Sequence, residues 1–227
     1  MVQEARRRLH NFHTSSTSFR VRIGLNLKGL SYEYVPVTLR FEAGDHDSPE
    51  YKAFNPQGNV PVLVEGQTAI AQSIAILEYL EETYPEPPLL PADGPGRARV
   101  RSLALHVACE IQPPNNLRVE RYLVHSLGLD DEGRVAWRRH WITVGFIAIE
   151  QELARGPEAS RYCHGHSPTL ADCCLIPQVY NSQRPVVGLD LAPFPRIARI
   201  YQTCLAHPAF ERALPEHQPG WQEIKDH

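Results

Sequence analysis

The chain has 227 residues, 42% of them hydrophobic and 22% charged, which suits one large globular domain or two smaller ones. A formal net charge of −3 gives no electrostatic basis for binding nucleic acid or an anionic membrane surface. No apolar run approaches the roughly 20 residues of a membrane span. The cysteines Cys109, Cys163, Cys173, Cys174 and Cys204 include no Cys-x-x-Cys pair, so reduced thiols in a cytoplasmic protein are expected.

The basic run Arg6-Arg7-Arg8 lacks the apolar centre of a signal peptide and reads as a solvated overhang, with residues 1–8 as a tail. Residues 9–13 are a short predicted strand. They lead into Ser15-Ser16-Thr17-Ser18, hydroxyl residues suited to a helix start, where backbone N–H groups need acceptors. Phe19, Val21, Ile23, Leu25 and Leu27 alternate with polar or small residues, which is the period of a strand. Gly24, Asn26 and the stop signal Lys28-Gly29 favour a helix instead. Hydroxyls at a positive helix N-terminus can hold an anion, a thiolate included, although an ordinary N-capped loop is the commoner use of such a cluster.

Tyr32-Glu33-Tyr34-Val35-Pro36-Val37 reads as a second strand, and strand, helix, strand makes a βαβ unit with parallel neighbours. Residues 41–56 read as a loop with a short helical turn. Val60-Pro61 opens an apolar strand that turns through Glu65-Gly66-Gln67 into Thr68-Ala69-Ile70-Ala71, a hairpin. Gln72-Ser73 opens a helix with Ile74, Leu77, Tyr79 or Leu80, and Tyr84 on its apolar stripe, stopped by Pro85. Ser73 reads as the N-cap, and also as a ligand for a carboxylate together with the first amides of that helix.

Residues 85–96 hold five prolines and two glycines and read as a linker. Beyond them the strand signal fades. Helices are expected over residues 97–112, up to Pro113-Pro114, then over 115–127 and 133–153, with Trp137, Trp141 and Phe146 in the last. His164-Gly165-His166 lies in a loop, and Thr169-Leu170-Ala171-Asp172 has the form of a capping box. A final helix spans residues 196–206, and a polar tail follows residue 214. The predicted organisation is an α/β domain over 9–84, a linker over 85–96, an all-helical domain over 97–214, and tails at 1–8 and 215–227. The 11 histidines form no His-Glu-x-x-His, and no metal site is expected.

The run Ser15-Ser16-Thr17-Ser18-Phe19-Arg20-Val21-Arg22-Ile23 resembles the active-site signature of the zeta class of glutathione transferases. Asn55-Pro56, Val60-Pro61, Gln72-Ser73, Ile111-Gln112-Pro113 with Asn115-Asn116, Thr169-Leu170-Ala171-Asp172 and Pro177-Gln178-Val179 extend the resemblance over residues 9–210. The sequence departs from that class at Thr17, where the usual residue is Cys. The resemblance implies a glutathione transferase fold, an α/β thioredoxin-like N-terminal domain (βαβ-ββα) followed by an all-α domain. It also implies a cis Val60-Pro61 bond, glutathione as cofactor and a homodimer.

The same resemblance implies site residues. Ser15 is the favoured partner of the glutathione sulfur, with Ser16 and Thr17 next in line. Glutathione contacts fall on Ser15, Arg20, His46, Asn59, Val60, Pro61, Gln72, Ser73, Gln112 and Asn116. The γ-glutamyl carboxylate goes to Gln72 and Ser73, and an extended peptide pairs with the Val60 backbone. Arg20 has a second reading as a surface or interdomain ion pair. Substrate contacts fall on Arg184, Gln112 and Arg118. The implied reaction is glutathione-dependent isomerisation of maleylacetoacetate to fumarylacetoacetate: thiolate adds to the alkene, the resulting single bond rotates, and the thiolate leaves. Maleylpyruvate is the alternative diacid. The enzymes acting on it carry an extra arginine where this chain has Thr14. Conjugation or dehalogenation of small α-halo acids is a third reading, and a non-catalytic glutathione-fold binding module a fourth.

Overall fold

Leu9 is fully buried in a cluster with Val21, Leu25, Leu63, Ile76 and Leu80, on a strand paired along both edges. In the computed structural model, which describes residues 7–156 and 160–221, β1 (Arg8–Asn11) pairs in parallel with β2 (Glu33–Pro36) and antiparallel with β3 (Val62–Glu65). The predicted hairpin places β4 (Thr68–Ala71) antiparallel on the other side of β3, and the sheet order is β2-β1-β3-β4. The connection from β1 to β2 is α1 (Ser16–Leu27), capped at its start by Ser15 and followed by Gly29 at φ 65.

The helix reading of this stretch therefore stands over the strand reading. The misleading alternation has a physical reason: nine residues of α1, Arg20 and Arg22 among them, are buried, and a helix enclosed on all sides shows no single apolar stripe. Val21 and Leu25 pack with Leu9, Leu63, Ile76 and Leu80 into one core cluster, and Phe12, Val37, Tyr51 and Val60 form a second.

The overhang expectation fails at Arg7. Its side chain is buried, Nε lies 2.7 Å from Glu65 Oε1, and Nη2 donates to the Tyr84 hydroxyl at 2.7 Å. A desolvated guanidinium requires such partners. Arg6 lies outside the described residues.

After the short α2 (Pro49–Phe54) and the hairpin comes α3 (Ser73–Thr83). Its N-cap is Gln72, and Ser73 is the first helical residue, which corrects the predicted cap by one position. Ile76, Leu77 and Leu80 form the buried face, with Ile74 only partly buried. Lys28 Nζ donates to Glu81 Oε2 at 2.9 Å, Tyr84 O at 2.6 Å and Pro87 O at 2.9 Å, which holds the proline-rich exit to the end of α1.

The chain divides into one unit of Met1–Pro88 with His207–His227, and a second of Leu89–Ala206. The predicted linker is accordingly shorter than residues 85–96. Leu89 and Leu90 are buried, and α4 (Gly94–Leu105) starts inside it, N-capped by Asp93. Proline near a helix start costs no hydrogen bond there. The second unit continues with a π-helical turn, His106–Ile111, then α5 (Leu117–His125), α6 (Asp131–Ala154), α7 (Leu170–Gln183) and α8 (Pro195–Leu205). Gly145 lets α6 lie close on Ile111, since a Cβ there would fall 2.2 Å from Ile111 Cγ1. The expected capping box is present: Asp172 Oδ2 accepts from the Thr169 N–H at 2.8 Å and its hydroxyl at 2.9 Å, and Oδ1 from the Cys163 N–H at 2.8 Å. Burial still pushes the Asp172 carboxyl above its usual range, with these bonds opposing the shift.

The end of the chain corrects the predicted domain limit of 97–214. Helix α9 (Pro208–Glu211) belongs to the first unit: Asn26 Nδ2 donates to Ala209 O at 2.9 Å, and Arg22 Nε to Ala213 O at 3.0 Å. The tail reading of 215–227 also changes, because Gln218 is buried and donates to Arg212 O and Leu214 O, and Trp221 meets His13 edge to face with ring centres 5.8 Å apart. Residues 222–227 lie outside the described part. Among the described residues no helix is long and apolar enough to cross a membrane.

Candidate active site

The turn between β1 and α1 is shaped by one buried guanidinium. Arg22 donates from Nη1 to Asn11 Oδ1 at 3.1 Å and Phe12 O at 3.3 Å, and from Nη2 to His13 O at 2.9 Å. The turn so held delivers Ser15 to the helix start, where its N–H bonds Phe12 O at 3.2 Å. The role of Arg22 was not legible in the sequence, where it is one of two arginines two residues apart.

Ser15, Thr17 and Val60 come together at the start of α1. Ser15 Oγ accepts from the Ser18 N–H at 3.2 Å and lies 2.9 Å from Thr17 Oγ1, and the Thr17 hydroxyl donates to Val60 O at 2.9 Å. Ser16 is buried in the first turn of α1, whose N–H groups open the helix ahead of its own hydrogen-bond ladder. The Val60–Pro61 bond is cis. The preceding carbonyl, that of Asn59, accepts from the Tyr51 hydroxyl at 2.8 Å and from Asn55 Nδ2 at 2.7 Å, which fixes this stretch of backbone. Burial pushes the Tyr51 hydroxyl's pKa up, so it remains a donor throughout the neutral range.

The start of α3 forms the second part of the site. Gln72 adopts φ 72 and ψ 117, a sparsely populated conformation costing about 1–3 kcal/mol for a non-glycine residue, and such cost concentrates at functional positions. Its side-chain amide donates to Gln57 Oε1 at 2.5 Å. The Gln72 side chain makes no capping bond to α3, which leaves first-turn amides for another acceptor. Arg20, only 1% exposed, donates from Nη1 to Ser73 Oγ at 3.3 Å. The surface reading of Arg20 is thereby overturned. The Ser73 oxygen accepts from Arg20, and a hydroxyl that accepts one bond retains its own proton to donate. Helix-start amides, a hydroxyl donor and a buried guanidinium together fit a carboxylate, and the Val60 backbone beyond them fits an extended peptide. A peptide ending in a carboxylate and carrying a thiol, as glutathione does, matches this set.

His46 is engaged elsewhere. It is buried, with Nδ1 at 3.2 Å from Thr38 O and Nε2 at 3.3 Å from Asp47 Oδ2, and it closes its own loop.

The remaining predicted residues belong to the second unit. Gln112 ends the π-helical turn, its N–H bonding Val107 O at 2.9 Å, and π turns often occur at functional positions. Asn116 caps α5 by accepting from the Arg118 N–H at 3.1 Å. Arg184 caps the end of α7, half-buried, and among the described residues no carboxylate pairs with it. Burial pulls its pKa down, the Tyr180 hydroxyl opposes this, and the charge of Arg138 adds to it. Arg138 is itself satisfied, held in bidentate fashion by the buried Glu120, with Nε at 2.5 Å from Oε1 and Nη2 on Oε2. That leaves the Arg184 guanidinium as a partly desolvated charge suited to an external carboxylate. The Glu120–Arg138 pair was missed in the sequence, because 18 residues and a loop separate its members.

Comparison with known proteins follows the same lines. Residues 9–88 match the glutathione S-transferase N-terminal domain family. A maleylpyruvate isomerase from Ralstonia sp. is 49% identical over 212 residues, 93% of this chain and 98% of that protein. The holo structure of a maleylpyruvate isomerase, a bacterial glutathione S-transferase of the zeta class, superposes with a TM-score of 0.90 at 48% identity, covering 94% of this chain and 99% of the other. A maleylacetoacetate isomerase from Methylobacterium extorquens AM1, solved with malonate and glutathione bound, superposes with a TM-score of 0.88 at 40% identity, covering 94% and 98%.

Proposed function

The chain belongs to the zeta class of the glutathione S-transferase family, and from that premise we propose that it isomerises maleylacetoacetate to fumarylacetoacetate with glutathione as cofactor. The observation that carries this reading is the Ser15 hydroxyl at the start of α1, within hydrogen-bond reach of Thr17, whose own bond runs on to the Val60 carbonyl. Bound glutathione supplies a thiolate that adds to the double bond and leaves after rotation, so it is regenerated.

The chain's own residues do the rest. Ser15, with the first amides of α1 around Ser16 and Thr17, stabilises negative charge on sulfur and lowers the thiol pKa. The Val60 backbone, set by the Asn59 and Pro61 peptide units, pairs with the peptide. Gln72, Ser73 and Arg20 hold the γ-glutamyl carboxylate. Gln112 and Asn116 are further glutathione contacts assigned by the resemblance, whereas His46, buried against Thr38 O and Asp47, supports its own loop instead. Arg184 takes the substrate carboxylate, with Gln112 and Arg118 as donors to the charge that develops on its oxygens. A homodimer and a cytoplasmic setting are parts of the same reading, carried by family membership.

A second reading, maleylpyruvate as the diacid, is favoured by the 49% identity to a maleylpyruvate isomerase, while Thr14 in place of an arginine favours maleylacetoacetate. Assaying each diacid spectrophotometrically, with and without glutathione, decides between them. Glutathione-dependent conversion of maleylacetoacetate at the higher kcat/KM is the expected result. Turnover of maleylpyruvate alone would replace the substrate assignment, and turnover of neither, with glutathione still bound, would favour conjugation or dehalogenation.

The Arg184 assignment has its own test. Loss of a charge-assisted hydrogen bond costs about 1.5–3 kcal/mol, so Arg184→Ala is expected to raise KM for the diacid about 10- to 100-fold and leave the Kd of glutathione within about twofold. A change confined to glutathione affinity would refute it.

A further inference from the structure

The hydroxyl protons at the start of α1 can be assigned by counting. A threonine hydroxyl has one hydrogen, and that of Thr17 is donated to Val60 O at 2.9 Å. The hydrogen in the 2.9 Å bond between Ser15 Oγ and Thr17 Oγ1 therefore comes from Ser15. Ser15 Oγ also accepts the Ser18 N–H at 3.2 Å. In this arrangement Ser15 has no hydrogen left for a sulfur, and the Val60 carbonyl already holds a hydroxyl on the backbone that an extended peptide would pair with.

We propose that Thr17 is a positioning residue that couples peptide pairing at Val60 to thiol activation at Ser15. The proposal rests on the glutathione site described above. When the N–H of a bound peptide takes over the Val60 carbonyl, the Thr17 hydroxyl rotates about its C–O bond and donates to Ser15 Oγ. Ser15 then turns its hydrogen outward to the sulfur, and the thiol's own proton leaves to water. Only two O–H groups rotate, the 2.9 Å heavy-atom spacing is kept, and no covalent bond changes apart from the ionised S–H. Ser15 Oγ has the capacity to accept both the Ser18 N–H and the Thr17 O–H, since a hydroxyl oxygen carries two lone pairs. Donation from Thr17 polarises the Ser15 O–H, and chained hydrogen bonds strengthen one another by roughly 10–30% per bond. A thiol at position 17 would be a much weaker donor in the same chain.

The test is a pH titration of the ultraviolet thiolate absorbance of glutathione bound to the full-length protein, compared across wild type, Thr17→Val and Thr17→Ser. Valine keeps the shape and removes the hydroxyl, and serine keeps the hydroxyl. Affinity for S-methylglutathione, which has no thiol to ionise, reports binding alone. Thr17→Val is expected to raise the pKa of the bound thiol by about one unit, a tenfold drop in thiolate at a given pH below it. Thr17→Ser should stay within about 0.3 unit of wild type, and both should bind S-methylglutathione within about twofold of wild type. An unchanged pKa in Thr17→Val overturns the proposal. So does a Thr17→Ser shift as large as that of valine, which would make the effect one of packing. Failure of wild type to bind glutathione would overturn the site assignment itself, a result distinct from either.

Discussion

Ser15→Ala is expected to lower kcat for the isomerisation by about 10²- to 10³-fold and to leave the Kd of glutathione within about threefold. Removing one preorganised donor from a reacting charge has an effect of this size, because the donor acts most strongly where charge is greatest. Affinity should be spared because, in the site proposed above, the carboxylate end rests on Ser73, the α3 amides and Arg20, with Ser73 58 residues farther along, and the peptide on the Val60 backbone. Ser15 also caps α1, so the variant loses about 1 kcal/mol of stability, and the assay belongs well below its melting temperature. Steady-state kinetics with saturating glutathione, beside calorimetric binding, separates the two effects. A loss that falls wholly on glutathione binding, or no loss of kcat, would remove Ser15 from the chemistry.

The second large effect concerns stability. Arg22→Met is expected to destabilise the protein by about 3–5 kcal/mol, because several buried acceptors lose their donor and each one left unsatisfied costs about 1–3 kcal/mol. Arg22 is fully buried, and methionine fills much of its volume while leaving Asn11 Oδ1, His13 O and Ala213 O without the Arg22 donors, and Phe12 O with the Ser15 N–H alone. For a chain of this length the melting temperature should fall by about 10 °C. Activity should drop as well, because the turn that carries Ser15 loses its clamp, and a small misplacement of a reacting group can cost about 10²-fold. Thermal unfolding followed by circular dichroism checks the first claim. A fall of less than about 2 °C would mean that water or rearranged side chains satisfy those carbonyls without loss.

The residues legible in the sequence share one property: their physics is local. Ser15 caps α1 three residues before the amide it accepts from, Thr169 and Asp172 form a capping box within one turn, and Gly29 supplies the left-handed exit from α1. The hairpin follows from Gly66 between two short strands. Where the expectations moved, the cause lay farther away. Arg7 reads as a solvated charge until Glu65 and Tyr84 are placed beside it. Ser73 reads as a cap until the backbone of Gln72 is seen to turn through positive φ. The end of the chain reads as a polar tail until Gln218 and Trp221 are seen packed within the first unit.

The site divides in the same way. The Ser-Ser-Thr run, Val60-Pro61, Gln72-Ser73 and Arg184 are legible in the sequence, which by itself determined the two-part organisation; the glutathione-dependent chemistry was legible there only through the zeta-class resemblance that these residues carry. Tertiary structure alone decided which proton points where in the Ser15–Thr17–Val60 chain, and that Arg20 faces Ser73 from inside the protein. It likewise decided that Arg22 ties the active-site turn to a carbonyl 191 residues away. Hydrogen-bond donors carry no mark of their acceptors in the sequence, and a buried charge is indistinguishable from a solvated one until the chain has closed around it.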